Sequence, residues 1–152
     1  MRDSNGRRQS PEREGSLYDR DFALWIETQA AALRAGDVGA LDLENLVEEL
    51  EGLTKRDERA LGSRLKRIMA HMLKQRCQPE RATRSWEGSI RNGREQIADI
   101  LDQSPSLRRS LPDLMTKNCP RAVAQASDDA RLPASSFPDQ PPFTLAEVLG
   151  ER

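Results

Sequence analysis

Apolar residues recur along the chain at steps of three and four, the period of one helix face. Phe22, Ile26, Ala30 and Leu33 keep that step with Trp25 beside them. The pattern predicts a first helix over about 19–35, with Asp19 and Asp21 near its positive end and Gly36 as its C-terminal cap. Asp42 is placed to cap a second helix. Its stripe runs through Leu43, Leu46, Val47, Leu50 and Leu53 into Leu61, Leu65, Ile68, Met72 and Leu73, and Pro79 ends it. A helix of about 35 residues would be near 50 Å long at a rise of 1.5 Å per residue. Gly52 and Gly62 are its weak points, where a kink can form.

Trp86, Ile90, Ile97, Ile100 and Leu101 predict a third helix over about 85–102. Ser104 followed by Pro105 marks a new helix start. Leu107, Leu111, Leu114 and Met115 form the next stripe, split by Pro112. Pro120 is expected to kink or interrupt that helix before it resumes to about Ala130, because proline lacks an N–H and clashes with the preceding turn. Residues 132–143 hold Pro133, Pro138, Pro141 and Pro142 and read as an extended strap pinned by Phe137 and Phe143. Thr144 and Glu147 match a capping box, so a last short helix carries Leu145, Val148 and Leu149. No strand pattern and no repeat stands out. The expected fold is all-α: one helical bundle over 17–150, with a long central helix packed by the first and third helices, a Pro-rich C-terminal strap and a short terminal helix. Residues 1–16 are almost devoid of apolar side chains and read as a disordered tail.

Composition agrees with helices. Only 4% of residues are aromatic, so Leu, Ile, Val, Met and Ala must fill the core. Two cysteines, Cys77 and Cys119, do not make a disulfide framework and read as reduced, buried thiols. Neither a secretory leader nor a membrane span is legible, so the expected location is the cytoplasm.

Several short strings, in order, resemble a bacterial family of small helical proteins catalogued as a domain of unknown function, number 29 in its series. They are Leu17-Tyr18-Asp19-Arg20-Asp21-Phe22, Trp25, Gln29-Ala30 and Leu33-Arg34, then Leu41-Asp42, Asn45-Leu46 and Glu48-Glu49. His71-Met72-Leu73-Lys74, Ser85-Trp86, Pro105-Ser106-Leu107 and Phe137-Pro138 continue the likeness, which covers about 17–149. Gln75-Arg76-Cys77 and Cys119-Pro120 depart from the family pattern. The resemblance implies a small helical fold and no activity.

Chemistry is narrowed by what is missing. With one histidine, His71, a His-rich metal site is excluded. The glycine loops that cradle phosphates and the nucleophile elbow are absent from the sequence, and no cofactor or metal is expected. Asp21, Gln29, Asn45, Glu48, Glu49 and His71 make a possible polar site, and a small enzyme or metal-binding protein using Asp21, Glu48, Glu49 and His71 is the second alternative. The 23 residues from Glu48 to His71 oppose it, since they span about 34 Å on a continuous helix. Asn45 and His71 read first as polar groups satisfied between helices, and Trp25 and Trp86 as core.

Charge is the most informative feature. The formal net charge is −1, yet residues 37–53 hold six acids and no base. Residues 54–94 hold twelve bases against four acids. The macrodipole of the long helix explains part of this, but not the bases of the next helix. Pairing of the two helices about Pro79 would gather Arg64, Arg67, Arg91 and Arg94. Arg64, Arg67, Lys74, Arg84, Arg91 and Arg94 are therefore candidate contacts to a protein partner or to phosphate. The leading expectation is a non-enzymatic interaction module that docks a protein partner or a second copy through this charge-polarised surface. Nucleic-acid binding by the basic face of 54–94 is the alternative.

Overall fold

The computed structural model describes residues 15–140 and 142–151. The expected tail over 1–16 lies outside them except for Gly15 and Ser16. Six α-helices follow in order: α1 (Leu17–Arg20), α2 (Phe22–Ala35), α3 (Leu43–Cys77), α4 (Arg84–Gln103), α5 (Leu111–Ala130) and α6 (Leu145–Leu149). Short 3-10 turns fill several of the connections, and no strand occurs among the described residues. The fold is all-α, with the long helix α3 at its centre in chain order. The chain divides into two compact units, Met1–Glu51 and Gly52–Arg152.

In the first unit the expected single helix over 19–35 is two helices. Asp21 breaks it with an extended backbone, φ −151° and ψ 86°, and its carboxylate caps α2 by accepting from Leu24 N–H at 3.0 Å. Ser16 and Asp19 form a capping box on α1. Gly36 ends α2 at φ +69°, where its N–H reaches the carbonyls of Ala32 and Leu33 and a side chain would be strained. Asp42 caps α3 as the sequence indicates, accepting from Asn45 N–H at 3.3 Å.

α3 is one helix of 35 residues, unbroken at Gly52 and Gly62. In the second unit its buried stripe, Leu61, Leu65, Ile68, Met69 and Leu73, forms the core with Ile90 and Ile97 of α4, Leu111, Met115, Ala122 and Ala126 of α5, and Val148 of α6. Each large side chain removed from water this way stabilises the fold by about 1.5–3 kcal/mol. The α3–α4 pairing about Pro79 is close. A β-carbon on Gly93 would stand 2.8 Å from Ile68 Cγ1, so only glycine lets the backbones approach there.

Pro120 does not interrupt α5, which runs through it for 20 residues. Pro120 is solvent-exposed, while Asn118, Cys119 and Ala122 around it are buried and hold the helix to the core. The strap over 132–143 contains a 3-10 turn at Ala134–Ser136 rather than being extended throughout. Phe137 is buried in it, and Phe143 is half-buried with Arg76 6.0 Å from its ring. Thr144 and Glu147 form the expected capping box on α6. Among the described residues no helix is long and apolar enough to cross a membrane.

Candidate functional site

Asp42 organises the first unit. Besides capping α3, its carboxylate accepts the Trp25 indole N–H at 3.1 Å and the Asn45 amide at 2.7 Å. Its own N–H donates to the Gln29 side chain at 2.7 Å. These donors, Asn45 foremost, hold the Asp42 carboxyl below the usual carboxylate range. Tyr18 O–H donates to Glu49 at 2.6 Å, and this bond and the acids near it push the phenol up to about 12. Tyr18 meets Phe22 and Trp25 edge-on, at 5.7 and 4.9 Å between ring centres. Gln29, Asn45 and Glu49 thus tie α1, α2 and the start of α3 together, with Asp21 at the α2 cap.

This polar network leaves the apolar stripes uncovered. Trp25, Gln29 and Ala32 are the buried residues of α2, one turn-and-return apart on one face. The neighbouring face carries Phe22, Ile26 and Leu33, which the sequence pattern assigned to a core stripe; they are 44%, 46% and 57% exposed. On α3, Leu43, Val47 and Leu50 are 56%, 53% and 64% exposed. Helical period sets those three on one line, with exposed Glu44 and Glu48 on its flank. Single exposed apolar side chains are ordinary on a protein surface; here six large ones stand exposed on two helices of one small unit.

The remaining members of the candidate polar set, Glu48 and His71, belong to the first and the second unit respectively. Glu48 is exposed, and His71 stands 23 residues further along the same unbroken helix. Among the described residues no three His, Cys, Asp or Glu side chains are gathered to hold a metal ion. His71 is half-buried, and its enclosed Nδ1 has no hydrogen-bond partner, contrary to the expectation of a bonded interhelical histidine. Burial first, then the charge of Lys74 and Arg67, lowers its pKa, with Asp129 pulling the other way.

The candidate basic residues divide in their surroundings. Lys74 is buried, ion-paired to Asp129 at 2.8 Å, and its ammonium sits 5.1 Å from the centre of the Trp86 ring. Arg94 donates to the Val148 and Glu147 carbonyls at 2.9 and 2.8 Å and so closes the C-terminal end of α6. Arg84 and Arg91 are exposed on α4. Arg64 and Arg67 line a hollow of about 280 Å³ with Ser63, Lys66 and Gln125. A larger groove of about 520 Å³ adjoins it between α3 and α5, lined by Lys55, Arg59, Lys66, Lys117 and Arg121 with one carboxylate, Glu58. Sequence reasoning missed the α5 side of this groove; the one signal was Lys117 and Arg121 four residues apart on a predicted helix.

A family model described as "Domain of unknown function DUF29" matches residues 17–152. No curated protein and no solved structure matches the chain.

Proposed function

The chain belongs to the DUF29 family, a domain of unknown function, over residues 17–152, and from that premise we propose that it is a protein-docking module whose first unit receives a basic amphipathic helix. The observation that carries this reading is the exposure of Phe22, Ile26, Leu33, Leu43, Val47 and Leu50 on the helices of one small unit. Covering the exposed half of each such side chain contributes about 1 kcal/mol. That is the apolar centre of an interface, and the acids beside it supply the polar rim.

Charge selects the occupant. Glu44 and Glu48 flank the stripe of α3, and the segment 37–53 carries six acids and no base. A second copy seated symmetrically on this surface would set acids against acids, which disfavours that partner. A helix with an apolar face edged by Lys or Arg meets both features. Cys77 and Cys119 are free thiols, in keeping with a reducing compartment, and we read the protein as cytoplasmic.

The test uses the full chain and two synthetic 18-residue helical peptides with the same leucine stripe, one flanked by Lys and one by Glu, followed by fluorescence anisotropy. The Lys peptide is expected to bind near the micromolar range, about −8 kcal/mol, and the Glu peptide at least tenfold more weakly. Val47→Glu with Leu50→Glu removes the binding, and Glu44→Lys with Glu48→Lys reverses the preference. Equal affinity for both peptides, or full affinity in the Val47/Leu50 variant, overturns the reading.

A further inference from the structure

The second unit holds a surface of opposite character. The groove between α3 and α5 brings Lys55, Arg59 and Lys66 from one helix to face Lys117 and Arg121 from the other. Gly62 and Asn118 also line it, and a β-carbon on Gly62 would stand 2.8 Å from Asn118 Nδ2. Glu58, the carboxylate in the lining, accepts from Ser110 O–H at 3.2 Å. Arg59, Lys66, Lys117 and Arg121 enter no ion pair among the described residues. Folding has therefore drawn these four like charges together beside a single carboxylate in the lining, Glu58.

The groove does not stop at its own walls. Ser63 and Lys66 also line the adjoining hollow, where Arg64 and Arg67 continue the row of cations. Arg64, one of the lining residues, also has a buried Nε without an acceptor, an orphaned donor of the kind a fold leaves only at a cost. From Lys55 to Arg67 the row follows about 18 Å of α3 at 1.5 Å per residue. A row of cations along a double hollow suits a linear polyanion, not a single compact ion.

We propose that this groove is a binding site for a linear chain of phosphates, the sugar-phosphate backbone of single-stranded nucleic acid. The length of the row suits the phosphodiester backbone, which carries a charge on every unit of a continuous chain. Arg59, Arg64, Arg67 and Arg121 offer forked, planar guanidinium groups that match phosphate oxygens two at a time. The lining has no aromatic side chain and one apolar one, Leu114, so bases find no stacking platform. Recognition is of the backbone and is indifferent to sequence. The site lies on different residues from the docking surface of the first unit and stands independently of it.

The experiment titrates the full, nuclease-treated chain with labelled dT12, labelled rU12 and a labelled glutamate 12-mer, at 50 and 200 mM salt. The oligonucleotides are expected to bind with little difference from dA12 of equal length. Three to five phosphates neutralised give a slope of log K against log salt of about −2 to −3.5. The glutamate peptide binds at least tenfold more weakly. Lys66→Glu with Arg121→Glu reduces oligonucleotide affinity at least tenfold. Arg81→Glu with Arg109→Glu makes the same change in net charge at exposed positions outside the groove and alters it less than threefold. Circular dichroism confirms that both variants keep their helix content, and Lys117→Ala with Arg121→Ala repeats the test without a charge reversal. Equal losses in the two charge-reversed variants would reduce the binding to net charge alone and overturn the site. A glutamate peptide that binds as tightly as dT12 would make the groove a surface for acidic protein, and a flat salt response would remove phosphate contacts altogether.

Discussion

Gly62 of α3 and Asn118 of α5 lie so close that a β-carbon on Gly62 would stand 2.8 Å from Asn118 Nδ2. That nitrogen donates to the Leu114 carbonyl at 2.8 Å, so the amide has little freedom to retreat. Gly52 on the same helix has nothing within 4 Å of its would-be β-carbon. Two substitutions that look alike in sequence should therefore differ in sign. Gly52→Ala is expected to stabilise by up to about 1 kcal/mol through helix propensity. Gly62→Ala is expected to destabilise by about 1–2 kcal/mol through overpacking. Urea midpoints of the two variants check this; stabilisation by both would mean that α3 and α5 are not in close contact at Gly62.

Tyr18 is the sole tyrosine of the chain, so its ionisation is directly visible in the ultraviolet. Its bond to Glu49 favours the neutral phenol and pushes the pKa up to about 12. A group whose folded pKa is raised contributes stability that is complete below its unfolded value, near 10, and is lost as pH rises through 12. Absorbance near 295 nm should rise with a midpoint about two units above that of a free tyrosine. Glu49→Gln should bring the midpoint down toward 10. An ordinary midpoint in the unaltered chain would show that the Tyr18–Glu49 bond is not made.

His71 gives the opposite dependence. Burial and the nearby positive charges hold its pKa below its ordinary value of 6.5. The unfolded chain then takes up the proton first as pH falls. Stability from this group is complete above about pH 6.5 and declines as pH drops from there toward the lowered folded value. Denaturant midpoints at pH 7.5 and 5.5 should differ, and His71→Gln should shrink the difference. An undiminished difference in that variant would assign the acid sensitivity to other groups.

The helices were largely legible from periodicity because burial in the second unit follows it. Leu61, Leu65, Ile68, Ile90, Ile97 and Leu111 are where a three-and-four step puts them, under other helices. The same rule misjudged Phe22, Ile26, Leu43, Val47 and Leu50. Periodicity shows that a helix has an apolar face, but not whether this chain provides the cover. The break at Asp21 was hidden because one residue serves as the end of α1 and the cap of α2. Pro120 misled for a related reason: local chemistry disfavours helix there, while the burial of Cys119 and Ala122 on either side outweighs it. For the candidate sites, charge sorting along the sequence singled out Arg64 and Arg67, which line one hollow. It could not show that Lys74 and Arg94 turn inward to Asp129 and the α6 carbonyls, nor that α5 brings Lys117 and Arg121 to face α3.

The docking surface is most directly tested by nitrogen-15 amide spectra of the full chain, titrated with the Lys-flanked leucine-stripe peptide. The expected result is a set of saturable shift changes centred on Phe22, Ile26, Leu33, Leu43, Val47 and Leu50, with the amides of α5 unmoved. Changes centred on residues 55–125, or none at millimolar peptide, would contradict a docking role for the first unit.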